Sequence, residues 1–245
     1  MAQTYLSIVI PAWNESANIK RGALDQVLKY LARQKFSWEV IVVNDGSSDD
    51  TLRLLEKYSI KVINNPHQGK AASVASGVSQ SAGRIILFSD MDQATPISEF
   101  DKFIPKFKEG FDIVIGSRSG RKGAPIYRQI LAYGMVILRT ILLRLPYRDT
   151  QCGFKAFTKP TAQKLFVIFN KVHPVRPTTG GVTNPGFDVE LLYLSRKLGF
   201  RTAEVTVNWE HQHGERVRFI KDAIAGTWEL LLVRWRSLTN TYGLR

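Results

Sequence analysis

Two carboxylates stand one residue apart directly after a short apolar run. The run covers residues 85–88, and Asp90 and Asp92 follow it. It has no polar alternation, which predicts a strand buried on both faces. Residues i and i+2 of an extended chain project to the same side, so both carboxylates would meet at one point and favour a hard divalent cation shared with substrate phosphates. The alternative is that Asp90 and Asp92 are turn or helix-capping residues, since Asp is common there.

Other polar residues follow other apolar runs in the first half of the chain. Asn14 and Glu15 come after the first run, and Asp45 comes after the second. Including the run before Asp90, strands are predicted at 7–10, 39–43, 60–63, 85–88 and 112–115, with helices between them. This alternation predicts a doubly wound, mostly parallel sheet, in which ligands bind at the carboxyl ends of the strands. The sequence has neither a G-x-G-x-x-G after the first strand nor a phosphate-binding G-x-x-x-x-G-K-[ST] pattern, so we expect metal and basic side chains to hold phosphate.

The composition indicates a globular protein with a polyanionic partner. The chain has 245 residues, 44% of them hydrophobic, and a net charge of +13, which fits one large α/β domain that binds anionic lipid, a phosphorylated substrate or nucleic acid. Nucleic acid is disfavoured, because the positive charge is interleaved with an apolar helix and not with exposed aromatic residues. The single cysteine, Cys152, excludes an intramolecular disulfide and is compatible with a reducing compartment.

Two stretches in the second half predict amphipathic helices. Residues 127–145 combine a broad apolar arc with arginines and no acidic residue, and a second apolar stripe with two tryptophans begins near residue 217. Both patterns are typical of helices that lie on anionic lipid, and the alternative is that they pack against the domain or a second subunit. We predict a catalytic domain at 1–215 with a mobile loop at 171–186, and a C-terminal helical segment at 216–245. No signal peptide and no apolar run of about 20 residues is apparent, so we expect peripheral attachment to the cytoplasmic face of a membrane; a homo-oligomer stays open.

Several motifs, taken in order along the chain, resemble the family-2 glycosyltransferases of the GT-A fold. They are Ser7-Ile-Val-Ile-Pro-Ala-Trp-Asn-Glu15, Val43-Asn-Asp-Gly-Ser-Ser-Asp49, Asp90-Met-Asp92, Gly116-Ser-Arg118 and Asp149-Thr-Gln-Cys-Gly-Phe-Lys155. The later stretches at 149–157, 187–190 and 205–209 resemble dolichyl-phosphate β-glucosyltransferases and prokaryotic polyprenyl-phosphate relatives. The resemblance extends from about residue 7 to residue 218 and implies a Rossmann-like nucleotide-diphospho-sugar transferase.

The resemblance also implies roles for individual residues. The nucleotide-sugar site would consist of Pro11, Asn14, Glu15, Asp45, Lys70 and Asp90. Asp92 would hold Mg²⁺ or Mn²⁺ on the diphosphate, with Asp90 and Gln93 as further ligands. Arg118 and Arg128 would contact phosphate of the donor or acceptor, and Asp149 matches the acidic residue proposed as catalytic in the polyprenyl relatives.

The activity that the resemblance implies is inverting transfer of a hexose, glucose from UDP-glucose, to a polyprenyl or dolichyl phosphate at a membrane surface. The alternatives are a GDP-mannose donor or a hydroxyl acceptor on a polysaccharide or small molecule. A hydroxyl acceptor needs a general base, for which Asp149, Asp188 and Glu190 are candidates. A lipid phosphate is already ionised near neutral pH, and it instead needs cations that bring two anionic substrates together.

Overall fold

A seven-stranded sheet forms the centre of the protein, seen here in a computed structural model. The structure describes residues 3–118, 126–174, 186–210 and 219–244, with the side chains of all but 126–132 and 219–224. The strands are β1 (Leu6–Ala12), β2 (Trp38–Asp45), β3 (Lys61–Asn65), β4 (Ile85–Phe88), β5 (Ile113–Arg118), β6 (Lys155–Thr158) and β7 (Thr202–Val207). Their order in the sheet is β3-β2-β1-β4-β6-β5-β7.

Helices cover both faces of this sheet. They are α1 (Ser16–Lys20), α2 (Ala23–Leu31), α3 (Thr51–Leu55), α4 (Lys70–Ser79), α5 (Ile104–Lys108), α6 (Ile126–Leu143), α7 (Lys159–Val172), α8 (Phe187–Lys197) and α9 (Phe219–Leu238), with a 3-10 helix at Ile97–Lys102. The apolar strand residues alternate between two core layers, because neighbouring side chains of a strand point to opposite faces. Val9 lies in the layer that includes α4 and α7, whereas Ile8 and Ile10 lie in the layer that includes α2.

The predicted mostly parallel sheet is confirmed, and β6 is the exception. It pairs antiparallel with β4 on one side and with β5 on the other. The sequence predicts no strand here, because residues 155–158 contain no continuous apolar run and a polar stretch precedes them. Since β6 runs backwards, its first residue, Lys155, lies opposite Phe88 and Ile115, near the carboxyl ends of the neighbouring strands.

The first strand also continues further than predicted. We expected it to stop at Pro11, but β1 runs to Ala12 and Pro11 pairs with Val43 of β2. The pairing of β1 with β4 ends at Val9. Pro11 therefore lies where one flank of the strand is no longer paired, a position at which a missing N–H is tolerated.

Helices α6 and α9 lie where the two amphipathic helices were predicted, and they pack against each other. The Thr227 hydroxyl of α9 lies 3.5 Å from the Met135 sulfur of α6. The inner face of α9 is anchored by the buried residues Leu230 and Val233, which belong to the same core layer as α7 and α8. Because this helix is packed into the core, the predicted division between residues 215 and 216 has no visible counterpart in the packing and stays a prediction.

The tryptophan stripe of α9 faces away from this core. Trp228 is 63% exposed and Trp235 is 65% exposed, and Leu231 and Leu238 are exposed beside them. On α6, Tyr133, Ile137 and Ile141 are exposed as well. In the described ranges, none of the helices has the length and apolar character needed to cross a bilayer. Most of the predicted loop at 171–186 lies outside the described residues, and α7 occupies its start up to Val172.

Candidate active site

The carboxyl ends of β1, β2 and β4 bring several of the predicted site residues together. Asp90 follows β4, and its carboxylate lies 2.5 Å from the ammonium of Lys70, the first residue of α4. Asp92 lies just beyond, where its Oδ1 accepts a hydrogen bond from the backbone N–H of Ala94 at 2.9 Å. The guanidinium of Arg21 donates to the Asp92 carbonyl at 3.0 Å. Asp90, Asp92 and Lys70 therefore lie together at one end of the sheet, as predicted.

The charges at this end are predominantly negative. Burial raises the pKa of Asp92, and the neighbouring carboxylate of Asp90 raises it further. Burial also raises the pKa of Glu15, with additional contributions from Asp92, Asp90 and Asp49. Conversely, burial lowers the pKa of Lys70, but the nearby carboxylates of Asp90 and Asp188 outweigh this effect and the net shift is upward. Carboxyl groups such as Asp92 and Glu15, whose pKa values are raised by burial and by neighbouring carboxylates, favour a bound cation.

The donor set fits a divalent ion that is held jointly by protein and substrate. Within the described ranges, no three His, Cys, Asp or Glu side chains are grouped so as to hold a metal alone. Gln93 adds a third oxygen to the neighbourhood: its amide nitrogen donates to the Asp90 carbonyl at 2.8 Å, while its buried Oε1 accepts no hydrogen bond from the described residues. Mg²⁺ is commonly bound by one or two carboxylates together with substrate phosphates, and Asp92, Asp90 and Gln93 offer such a partial ligand set.

Asp45 lies at the end of β2, and its carboxylate is already engaged by the protein. It accepts hydrogen bonds from His67 Nδ1 at 2.8 Å, from Gln68 N at 2.9 Å and from Gly69 N at 2.8 Å. Gly69 has a φ of 90°, which other residues rarely adopt. Asp45 therefore fixes the turn that leads into α4 and so helps to place Lys70 next to Asp90.

Asn14 ties two loops of the same end together. Its Oδ1 accepts from the backbone N–H of Ser48 at 2.9 Å, and its own N–H donates to Ser47 Oγ at 2.9 Å. Glu15 N donates to Thr51 Oγ1 at 2.7 Å. The side chain of Asn14 thus connects the end of β1 to the turn after β2, and its predicted contact with a nucleotide sugar stays a prediction, as does that of Pro11.

Arg118 and Asp149 form a bidentate ion pair at the end of β5. Arg118 Nε lies 2.6 Å from Asp149 Oδ2, and Nη2 lies 3.0 Å from Oδ1. Burial raises the pKa of Asp149, but the bonds from Arg118 outweigh it and hold the pKa below its usual range. The indole of Trp209 lies 5.6 Å from the Arg118 guanidinium. Such a carboxylate orients a cation well and accepts a proton poorly.

A second buried ion pair joins β6 to α8. The ammonium of Lys155, which is fully buried, lies 2.6 Å from Asp188 Oδ1. It also donates to the Cys152 carbonyl. Asp188 is close enough to Lys70 and Arg118 to raise the pKa of both, so this pair lies at the edge of the site. The sequence does not assign Lys155 to the site, because it does not predict the antiparallel strand β6, whose first residue is Lys155.

Gly153 is a further residue that the sequence reading overlooked. A Cβ atom at this position would lie 2.0 Å from Asp90 Oδ2. The absence of a side chain therefore lets the Asp90 carboxylate pack against the backbone that precedes β6. The available signal was a glycine between two core residues, Cys152 and Phe154, inside the motif at 149–155.

One candidate base, Glu190, lies away from the other site residues, and the predicted phosphate contact of Arg128 is not tested. Glu190, considered as a base, lies in a buried cluster on the side of α9, where it contacts His173 at 2.8 Å and Tyr242 at 2.6 Å. Arg236 of α9 donates to the same carboxylate at 3.2 Å. These contacts occupy both oxygens of the Glu190 carboxylate. We therefore assign Glu190 a structural role and do not retain it as a candidate base. The side chain of Arg128, predicted to contact phosphate, lies outside the described residues.

Comparison with known proteins agrees with this geometry. Residues 7–162 match the family model described as "Glycosyl transferase family 2". The chain is 32% identical to the dolichyl-phosphate beta-glucosyltransferase of Dictyostelium discoideum, covering 98% of this chain and 77% of that protein. It is also 32% identical to the protein of that name from Homo sapiens, with 98% and 78% covered.

Solved structures show the same architecture. The glucosyl-3-phosphoglycerate synthase of Mycobacterium tuberculosis, in complex with Mn²⁺ and UDP-glucose, superimposes with a TM-score of 0.65 at 20% identity, covering 95% of this chain and 79% of that chain. A complex of that synthase with Mn²⁺, UDP and phosphoglyceric acid gives 0.65 at 19% identity, covering 95% and 77%. This likeness concerns the fold and confirms the predicted GT-A type. Together with the family match and the curated relatives, it shows that the chain belongs to glycosyl transferase family 2.

Proposed function

We propose that this protein transfers glucose from UDP-glucose to a dolichyl or polyprenyl phosphate, with inversion at the anomeric carbon. The names of the curated relatives support the donor sugar and the lipid acceptor. In this proposal, the nucleotide lies at the carboxyl ends of β1, β2 and β4, near Glu15, Asp45 and Lys70.

The observation that carries the choice of acceptor is the pairing of the two candidate bases with cations. Asp149 is held by the guanidinium of Arg118, and Asp188 is held by the ammonium of Lys155. A general base must be free to take a proton, and a carboxylate paired with a cation at 2.6 Å is a weak base. A phosphate acceptor needs no such base, so these pairs favour a lipid phosphate over a hydroxyl.

The protein's own residues then act by binding and orienting two anions. Arg118, fixed by Asp149 and backed by Trp209, would contact the phosphate of the acceptor or the donor. Lys70 would contact the nucleotide. Asp92, Asp90 and Gln93 would hold Mg²⁺ or Mn²⁺ together with the diphosphate, and this ion would stabilise the negative charge on the departing nucleotide.

We also propose that the enzyme works on the cytoplasmic face of a membrane. The exposed residues Trp228, Trp235 and Ile141 of the adjacent helices α9 and α6 support contact with a membrane surface, because aromatic and aliphatic side chains enter the interfacial region of a bilayer. The net charge of +13 favours an anionic surface. The catalytic domain at 1–215 and the C-terminal segment at 216–245 remain our proposed division.

The test is a transfer assay with labelled UDP-glucose, Mg²⁺ and either dolichyl phosphate or dolichol. We expect labelled lipid only with the phosphate. Asp149→Asn should lower the rate about 10- to 100-fold through loss of the Arg118 geometry, and the pH dependence of kcat should keep its shape, since no base is removed. Transfer to dolichol, or loss of an acidic limb from the pH profile of Asp149→Asn, would contradict the proposed acceptor.

A further inference from the structure

His67 lies in the turn between β3 and α4, and its imidazole is held in one tautomer. Its Nδ1 lies 2.8 Å from Asp45 Oδ2 and 3.1 Å from the Asp45 carbonyl oxygen. Both atoms can only accept, so Nδ1 carries the proton. In a neutral imidazole the other nitrogen, Nε2, then has a free lone pair and accepts hydrogen bonds.

This acceptor is buried and unused. Among the described residues, His67 Nε2 has no hydrogen-bond partner. Leaving a buried polar atom unpaired is unfavourable, and such an atom in a native structure calls for a ligand or another explanation. Asp45, by contrast, already accepts from three N–H groups.

An aromatic side chain covers the same imidazole. The indole of Trp13, at the end of β1, stacks on His67 with ring centroids 4.6 Å apart and an interplanar angle of 15°. Trp13 is 47% exposed, so nearly half of its surface already faces solvent. An aromatic face next to an unused acceptor, at the carboxyl ends of β1 and β3, is suited to a planar ring that carries an N–H donor.

We infer that His67 reads the nucleobase of the donor. Its Nε2 accepts a hydrogen bond from the imide N3–H of uracil, while Trp13 shifts from the imidazole to stack on the base. Cytosine carries an acceptor at N3, so two lone pairs would face each other and CDP would bind weakly. Asp45 acts as a positioning residue that fixes the tautomer of His67. This inference rests on the proposed function, in that it requires a uridine nucleotide as donor.

Nucleotide binding by isothermal titration in the presence of Mg²⁺ tests the inference without any acceptor. The probes are UDP, N3-methyl-UDP, which lacks the N3 donor, and CDP. The main variant is His67→Asn, because the Asn amide can still donate to Asp45 from near the position of Nδ1 but has nothing at the position of Nε2. Lys20→Ala is the control, since Lys20 is exposed on the nearby helix α1.

We expect the wild-type protein and Lys20→Ala to bind UDP at least about tenfold more tightly than N3-methyl-UDP and CDP. In His67→Asn the ratio should fall to within about twofold. Equal binding of UDP and N3-methyl-UDP by the wild-type protein overturns the inference without any variant. An unchanged ratio of the two affinities in His67→Asn also overturns it. A wild-type protein that does not bind UDP overturns both the inference and the proposed donor, which separates the two failures.

Discussion

Replacing Gly153 by alanine should displace a catalytic-site carboxylate without unfolding the protein. The new Cβ would lie 2.0 Å from Asp90 Oδ2, and real Cβ atoms essentially never approach closer than 3.0 Å. The carboxylate must therefore withdraw by about 1 Å. A misplacement of that size can cost about 100-fold in rate, which corresponds to about 2.7 kcal/mol in the activation free energy.

Stability should change little, because the displaced group can turn toward water. The Asp90 side chain is 39% exposed and its Lys70 partner is 37% exposed, so loss of their contact costs at most about 1 kcal/mol. We expect kcat/KM for glucosyl transfer to fall about 100-fold while the thermal midpoint stays within a few degrees. Gly134→Ala is the matched control, since a Cβ there meets nothing within 4 Å.

A double-mutant cycle shows whether the effect passes through Asp90. In an Asp90→Ala background the clash no longer exists, so adding Gly153→Ala should change kcat/KM by less than about twofold. Near-wild-type activity of Gly153→Ala, or a full further loss in the Asp90→Ala background, would refute the reasoning that this glycine exists to admit the Asp90 carboxylate.

The remaining predictions concern the C-terminal helix. Burial raises the pKa of Glu190, but the bond to His173 and contacts with Tyr242 and Arg236 outweigh burial and hold the pKa below the usual 4.5. The ionised Glu190 therefore stabilises the folded protein above pH 4.5, and this stabilisation is lost as the pH falls through the pKa of the folded state. Glu190→Gln should therefore lower the free energy of unfolding by about 2–4 kcal/mol at pH 7, and urea titrations should show a smaller difference at pH 3; an equal difference at both values would contradict this. Trp228→Ser with Trp235→Ser should weaken co-flotation with anionic vesicles at least about tenfold, whereas Val167→Ser, also exposed but on α7, should not; parallel losses in both proteins would argue against a membrane-facing stripe.

Strands with an uninterrupted apolar run, and the acidic residues after them, were predictable from the sequence. Residues 85–88 form β4 as expected, because a run without polar alternation has few alternatives to a doubly buried strand. Asp90 and Asp92 lie at the predicted end of the sheet, because they directly follow this strand in the sequence. What the sequence could not indicate is which cation each carboxylate meets, since Lys70 and Lys155 are brought to the site by parts of the chain distant in sequence.

The short antiparallel strand and the orientation of α9 were harder to predict. β6 is as short as β4, but its sequence Lys155-Ala-Phe-Thr158 lacks a continuous apolar run, and only its pairing with β4 and β5 defines it. In α9 the apolar residues occupy more than one face, so the sequence predicts an apolar stripe but not which residues face the core. The structure buries Leu230 and Val233 and leaves Trp228 exposed, because the polar contacts of Glu190 with Arg236 fix how the helix docks.

The distribution of ion pairs supports a bound cation at one place in the proposed site and not at another. Asp149 and Asp188 are each neutralised by a cation of the chain at 2.6 Å. In the described part of the chain, the carboxylates of Asp92 and Glu15 have no such ion pair, and their pKa values are raised. The uncompensated negative charge therefore collects at the ends of β1 and β4. A diphosphate placed there would add to that charge, so in the proposed function the nucleotide binds at this end together with a cation. Around Arg118, each nearby carboxylate already has a cation of the chain. In the proposed function, the second anion therefore approaches Arg118 without a metal, and the metal accompanies the donor alone.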